Sequence, residues 1–336
     1  MRKIVYIGNN LQSKNPTTQA LLFKALTDLG FEVELYSNKE NIFSRLIDMC
    51  FGIIKNRDST NFVLIDTYST LNFYFALVTS QLARLFSIKY IPILHGGNLN
   101  RRLQNNRFYS NLIFSNAHMN ISPSKYLLEV FKNNGYKTLF IPNVIEIAEY
   151  NFINRKNLNF NLLWVRAFDK IYNPKMAISV LIELVKRGYK AKLCMVGPDK
   201  DGSLNEVIKL AEENNVIQFI EITGRLSKKD WIIKAKKFDV FINTSSIDNI
   251  PVSVIEAMAL GLPVISTNVG GMPYLINNGV NGMLVEENNN IEMTGAIVNL
   301  ITNPRMAISL AMKARNDVEN FDIAVVKKQW HKLLSQ

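Results

Sequence analysis

Apolar residues along this chain fall into two kinds of pattern. Short runs are apolar at nearly every position, and longer stretches repeat with helical spacing. In the first half the strand-like runs are Ile4–Gly8, Glu32–Tyr36, Phe62–Asp66, Tyr90–Leu94, Asn120–Ser122 and Thr138–Ile141. Helical patterns lie between them at Thr17–Leu29, Ile42–Ile54, Leu71–Phe86 and Ser124–Asn133. Ser122-Pro123-Ser124 reads as a helix start, because proline fits the first turn, where its missing N–H costs nothing. Val- and Ile-rich strands separated by amphipathic helices predict βαβ units and a parallel sheet.

Pro142-Asn143 closes this half, and the polar, Asn-rich stretch 144–160 has weak periodicity, so it is expected to be a linker. The pattern then restarts. Strands are expected at Asn161–Val165, Lys192–Val196, Ile217–Ile220, Val240–Asn243, Val264–Ser266 and Met283–Val285. Helices are expected at Pro174–Lys186, Ser203–Glu213, Lys228–Lys237, Pro251–Leu260 and Ile291–Leu300, with a terminal helix at Asp322–Leu334. The fold class is therefore α/β, with two Rossmann-like domains at 1–143 and 161–316 and a C-terminal segment at 317–336. Ligands of such folds bind at the carboxyl ends of the strands.

Composition changes this picture little. The chain has 336 residues, 48% of them apolar and 20% charged, enough for two cores. The apolar run Ile4–Ile7 is short for a signal peptide and is followed by Asn9-Asn10, so a first buried strand is expected. No stretch reaches the roughly 18 apolar residues of a membrane span. A soluble, cytoplasmic protein is expected. The two cysteines, Cys50 and Cys194, make neither a disulfide framework nor a metal site and read as buried thiols.

Charge adds more. Of the net +11, residues 1–142 carry a surplus of eight, with sixteen Lys and Arg against eight Asp and Glu. No basic run is interleaved with aromatics, so nucleic acid is not expected as a partner. An anionic membrane surface, such as the inner face of the plasma membrane, or an anionic acceptor fits better, and plain solubility explains the charge as well.

The candidate chemistry is concentrated in residues 243–271, NTSSIDNIPVSVIEAMALGLPVISTNVGG. A strand ends at Asn243, a polar loop follows, and Pro251 opens a helix. Asp248 and Asn249 stand where cap residues belong. Asn249, Ile250, Pro251 and Val252 lead into the first helical turn, whose amides suit a phosphate, since helix N-termini present unpaired N–H groups and partial positive charge. Glu256 lies about a turn inside, and Gly270-Gly271 end the next strand. A capped helix with a surface Glu explains the same spacing.

This stretch resembles the signature of the retaining glycosyltransferases of family four, which have the GT-B fold. Their pattern of Glu, seven residues, Glu and then Ala-Met-Ala-x-Gly-x-Pro-Val stands here as Asp248, seven residues, Glu256 and Ala257 to Val264. The resemblance implies two Rossmann-like domains facing across a cleft, with the last helix packing back on the N-terminal one. It implies that Glu256 holds the ribose and Asp248, one methylene shorter than the family's Glu, the donor sugar. In the family an Arg ends the strand that opens the second domain and a Lys follows. These become Arg166 and Lys170, with Lys175 as the alternative, on the donor diphosphate. Gly197, Gly224 and Arg225 resemble the family's loops beside base and diphosphate. His95, at a strand end before Gly96-Gly97, resembles its N-domain His near the reacting sugar, and Gly8 lies in a loop near the donor phosphates.

The implied activity is transfer of a hexose-type sugar from a UDP- or GDP-sugar to a hydroxyl, with retention and without a dedicated metal. The acceptor is expected to be a glycan or a lipid-linked glycan of the cell envelope. A sugar-nucleotide 2-epimerase of the same fold and a non-catalytic sugar-nucleotide-binding module are the alternatives. Asp199-Lys200-Asp201 has the form of a metal-binding Asp-x-Asp, but it follows a Gly-Pro turn and reads as chance.

Overall fold

Strands that are apolar at every position, not every second one, are covered on both faces. Ile4, Val5, Tyr6 and Ile7 of β1 (Lys3–Ile7) are of this kind, each at most 1% exposed. The computed structural model describes residues 2–9 and 18–335. Asn10 and Thr17, the ends of the first loop and first expected helix, lie outside the described residues. By internal contacts the chain forms two units, Met1–Ile145 with Phe321–Gln336, and Glu146–Asn320.

In the first unit β1 is followed by α1 (Thr18–Asp28), β2 (Glu32–Tyr36), α2 (Ile42–Lys55), β3 (Thr60–Thr67), α3 (Asn72–Leu85) and β4 (Lys89–Leu94). Then come α4 (Leu99–Asn105), α5 (Arg107–Phe114), β5 (Asn120–Ser122), α6 (Lys125–Asn133) and β6 (Thr138–Phe140). The described strands make one parallel sheet in the order β2-β1-β3-β4-β5-β6. Met49, Ile53, Phe73, Ile113, Phe114 and Phe131 pack on one face. Leu22, Leu26 and Trp330 cover the other, so the C-terminal helix, Ile323–Leu334, belongs to this unit's core. The short helices α4 and α5 have no counterpart in the apolar pattern: α4 buries only Leu99 and Leu103, too few positions to show a period.

The second unit contains β7 (Asn161–Val165), α7 (Pro174–Lys186), β8 (Lys192–Val196), α8 (Ser203–Glu213), β9 (Ile220–Gly224), α9 (Lys228–Ala235) and β10 (Val240–Asn243). It continues with α10 (Val252–Ala259), β11 (Val264–Thr267), α11 (Met272–Leu275), β12 (Met283–Val285), α12 (Asn290–Thr302) and α13 (Pro304–Val318). Its sheet, again parallel, has the order β12-β11-β10-β7-β8-β9. This is the doubly wound order, in which the first strand sits at the centre and the fourth returns beside it.

Two expected elements are displaced. The strand placed at Ile217–Ile220 runs instead from Ile220 to Gly224, after a 3-10 turn at Ile217–Phe219. β9 is an edge strand of mixed burial, so an apolar run does not mark it. The helix expected from Pro251 starts at Val252, because Pro251 is its extended cap, with ψ at 125°. The stretch expected as a linker is built into the units. Ile145 pairs with Asp322, and Leu158 lies in the second core. Arg155 is buried, donating to the carbonyls of Phe238 at 2.8 Å and Leu260 at 3.0 Å.

Candidate active site

In a doubly wound sheet the strand order reverses between the first and fourth strands, and the loops leaving them part to form a crevice. In the second unit that point lies between β7 and β10, paired through Leu162–Val240 and Leu163–Phe241. Arg166 follows β7 directly, and Asp248 lies five residues past β10. The Arg166 guanidinium bonds the Asp248 carboxylate through Nη2 and Oδ2, and its Cζ lies 4.6 Å from the centre of the Tyr172 ring. Asp248 Oδ1 accepts from the Asn249 amide and Oδ2 from the Ser245 hydroxyl, both at 3.0 Å. The loop carrying Asp248 is tied down on three sides. Thr267 Oγ1 donates to Ser245 O at 2.6 Å, the Ser246 amide to Ile171 O at 2.8 Å, and Trp164 Nε1 to Thr244 Oγ1 at 3.0 Å.

Glycines let the backbones close in on this loop. A Cβ on Gly197, after β8, would lie 1.8 Å from Arg166 O. One on Gly271 would lie 1.7 Å from Asn249 O, and one on Gly270 2.0 Å from Asp248 O. The Gly-Gly pair is thus the seat of the Asp248–Asn249 segment. Gly224 ends β9, and Arg225 stands exposed beyond it.

Ile250 and Pro251 are buried and lead into α10, with Val252 as its first residue. Here three buried polar atoms, Arg166 Nε, Asn249 Oδ1 and Ser253 Oγ, have no partner among the described residues. Such atoms are rare in folded chains, and each calls for a partner that is not protein, whether water, an ion or a ligand. One turn further, Glu256 Oε1 accepts from the hydroxyl of buried Tyr150. Burial pushes the Glu256 carboxyl up from 4.5 to about 7, against the lowering effect of the Tyr150 bond. Burial first, and then the Glu256 charge, raise the Tyr150 phenol well above its usual range. Lys228 sits 5.1 Å from the centre of the Tyr150 ring and pairs with Glu149 at 2.7 Å. Nothing in the sequence flagged Tyr150, which lies in the polar stretch after the first half.

The cations expected after Arg166 stand elsewhere. Lys170 and Lys175 share the carboxylate of Glu206, at 3.5 and 3.2 Å, and both side chains are more than half exposed. The hydrogen bond from Lys175 first, and then the charges of Lys170 and Lys175, lower the Glu206 pKa. Asp201 accepts from the amides of Ser203 at 3.0 Å and Lys170 at 2.9 Å, and Asp199 accepts from Gly202 N at 3.0 Å. Both acids of the Asp-x-Asp thus serve the turn before α8.

In the first unit the strand order reverses between β1 and β3. Gly8 follows β1 there, and a Cβ on it would lie 2.4 Å from Asp66 Oδ2. Asp66, in β3, is 7% exposed. Its Oδ1 lies 3.0 Å from both the Tyr6 hydroxyl and His95 Nε2. The His95 ring stacks on Tyr68 at 5.0 Å between centres. A carboxylate offers only acceptors, so Nε2 carries a hydrogen toward it. Asp66 was missed by sequence reasoning, although an acid closing the apolar run Phe62–Ile65 was a readable signal. Gln19, whose buried amide has no partner among the described residues, also lies against Gly8.

Residues 147–317 match the family described as Glycosyl transferases group 1. An uncharacterised glycosyltransferase of Methanocaldococcus jannaschii is 25% identical over 325 residues, 89% of this chain and 88% of that protein. Among solved structures, sucrose-phosphate synthase of Thermosynechococcus elongatus superposes with a TM-score of 0.85 at 16% identity, covering 100% of this chain and 99% of that one. HepE of Anabaena, solved in complex with UDP-glucose, superposes with a TM-score of 0.80 at 18% identity, covering 100% of both chains.

Proposed function

The chain belongs to the group 1 glycosyltransferases and has the GT-B fold, and from that membership we propose that it moves a sugar from a nucleoside diphosphate to an acceptor hydroxyl with retention at the anomeric carbon. The observation that carries this reading is the meeting of Arg166, Asp248 and three unpartnered buried polar atoms at the sheet's reversal point. A sugar diphosphate offers a polyanion for the cation and helix amides, and hydroxyls for the carboxylates. UDP is favoured over GDP by the UDP-glucose complex of HepE.

Each residue has a role in this proposal. The diphosphate competes with Asp248 for Arg166, and the released Asp248 turns to a sugar hydroxyl. The first amides of α10, after Pro251, face the phosphates. The bond from C1 to the phosphate oxygen breaks, the bond from C1 to the acceptor oxygen forms, and the acceptor proton passes to the departing phosphate. Arg166 stabilises the charge that develops there, with Lys170 contributing, and no metal is needed. Glu256 exchanges the Tyr150 hydroxyl for those of the ribose. His95, positioned by Asp66, serves the reacting sugar. The acceptor is proposed to be a glycan or lipid-linked glycan of the cell envelope, reached from an anionic membrane surface on the cytoplasmic side.

A thermal-shift series with UDP, GDP and their sugar conjugates, without metal, tests the donor, since a ligand that binds only the folded chain raises its melting midpoint. A rise with one nucleotide that is lost in Glu256→Ala supports the reading. No rise with any of them overturns it. A rise without transfer to any glycan acceptor leaves a binding module, and turnover of the sugar nucleotide alone leaves an epimerase.

A further inference from the structure

Helix α2 carries apolar residues on the side that meets water. Met49 and Ile53 pack toward the sheet, as a helix in this position requires. Phe43, Ile47, Phe51 and Ile54, spaced by four, four and three, share the opposite side, and they are 77, 69, 55 and 43% exposed. α2 thus carries apolar residues on two sides, with Ser44, Asp48 and Lys55 between them, where a surface helix ordinarily has one apolar stripe. The exposed surface continues sideways. α2 packs on α3, which presents Leu85 at 75% exposure, and α3 packs on α5, which presents Phe108 at 71%. Tyr74 of α3 meets Tyr109 of α5 edge-on at 6.4 Å. Large exposed apolar side chains on three helices that pack on one another make a candidate site of interaction.

The charge around it names the partner. Residues 42–114 hold eight Lys and Arg against three acids, and setting aside the buried Arg45 and Asp66 leaves seven against two. Lys55 follows the stripe directly, and Arg107 precedes Phe108. At the aromatic end lies a groove of about 360 Å³, lined by Ser69, Thr70, Asn98, Arg101, Arg102 and further amide side chains, with no carboxylate in its wall. Arg102 ties groove to patch, its Cζ 5.5 Å from the centre of the Tyr74 ring. Among the described residues no helix is long and apolar enough to cross a membrane. A surface that is apolar at its centre and basic at its rim is the pattern of a helix lying in the plane of an anionic bilayer. A second copy of the chain would set one basic rim against another.

We infer that the α2–α3–α5 face docks on an anionic lipid bilayer, with Phe43, Ile47, Phe51 and Ile54 at the acyl boundary and the Arg101–Arg102 groove on headgroup phosphates. This rests on the anionic membrane surface proposed above and gives it a location in the fold.

The test is co-sedimentation of the full chain with vesicles of phosphatidylcholine alone and with about one part in three phosphatidylglycerol. The wild type is expected to bind the anionic vesicles at least about tenfold more tightly, and less so at high salt. The double variant Ile47→Ser, Phe51→Ser should lose about tenfold or more of that binding. Arg101→Gln with Arg107→Gln should lose most of the preference for anionic lipid. Both variants should keep the wild-type response to nucleotide, which separates this result from the donor reading. Phe51→Trp, a conservative change, should have its fluorescence quenched by brominated acyl chains, and it reports on the same contact without removing it. Wild-type binding left unchanged in the serine variant, with no quenching of Phe51→Trp, overturns the location and leaves the membrane reading standing. No binding to either vesicle overturns both. A dimer in solution that the serine variant dissociates, without vesicle binding, identifies a second copy as the occupant and also overturns the inference.

Discussion

Each unit has one carboxylate where its strand order reverses, and the two are held in different ways. Asp66, in β3 between β1 and β4 of the first sheet, has a tyrosine hydroxyl and the His95 imidazole as partners of its Oδ1. Asp248, past β10 in the second sheet, is held by the Arg166 guanidinium, with buried polar atoms left unpartnered beside it. An incoming phosphate competes for a guanidinium, because both of its partners in turn are anionic oxygens in the same geometry. It has no such lever on the Asp66 cluster. In the proposed function the second site therefore exchanges partners, and the first holds one side chain still. A ligand that reaches Arg166, Asn249 and Ser253 would supply the bonds that buried polar atoms require.

The largest effect should come from the cation that makes this difference. In the proposed reaction Arg166→Ala removes the charge opposite the leaving diphosphate, and it should lower kcat by about 10²–10³-fold. The Asp248 loop keeps its ties through Ser246, Thr267 and Trp164, so the melting midpoint should move far less than the rate. Initial-rate measurements beside a melting curve check both. A variant that transfers at the wild-type rate would make the Arg166–Asp248 pair purely structural and erase the contrast.

Asp66→Asn is next. The amide keeps the shape but can turn an N–H toward His95, and the ring then loses the acceptor that fixes its hydrogen on Nε2. The expected loss is about 10²-fold in kcat, with the UDP-induced melting shift unchanged. An equal loss of nucleotide response would show that Asp66 acts on donor binding, and the two sites would no longer be separable.

Glu256 gives a smaller effect that depends on pH. Its carboxyl is raised from 4.5 to about 7 in the folded chain. In the unfolded chain it ionises first as pH rises. Its contribution to stability is therefore complete below 4.5 and is lost as pH climbs through about 7. Glu256→Gln stays neutral throughout. The wild-type melting midpoint, measured against that of the variant, should fall across this window, and parallel profiles would deny the raised value. Tyr150→Phe removes the partner and should steepen the fall, since the Tyr150 bond favours the ionised carboxyl.

Elements buried on both faces were legible from the sequence alone. β7, β8 and β10 stand where their apolar runs place them, and α7 starts at the proline that marks it. The edge strand β9, with Glu221 exposed and its neighbours partly so, carries no such run and was displaced. The site was legible one residue at a time. Arg166 and Asp248 each sit at a strand end, but only the sheet order brings β7 beside β10 across some eighty positions of chain. Tyr150 was not legible at all. It reaches Glu256 because the stretch around it packs on the second unit, where Gly261 has no room for a Cβ against Ile153 O, 2.7 Å away. A polar composition conceals that kind of packing.

The smallest effect concerns the lysines. Lys170 and Lys175 share Glu206 from opposite sides, so removing either leaves the other to hold the acid. Exposed pairs of this type are screened by solvent and contribute little, and neither Lys170→Ala nor Lys175→Ala should shift the melting midpoint by more than about a degree or two. Transfer discriminates between them. Lys170 lies in the same turn as Tyr172, whose ring carries the Arg166 guanidinium, whereas Lys175 already belongs to the first turn of α7. Swinging from Glu206 to a bound diphosphate would therefore cost Lys170 about tenfold in kcat/KM when it is truncated, and leave Lys175→Ala near the wild-type rate. The reverse order would assign the diphosphate to Lys175. Two neutral variants would leave Arg166 and the α10 amides as the whole of the positive charge on the leaving group, which draws the contrast between the two units more sharply still.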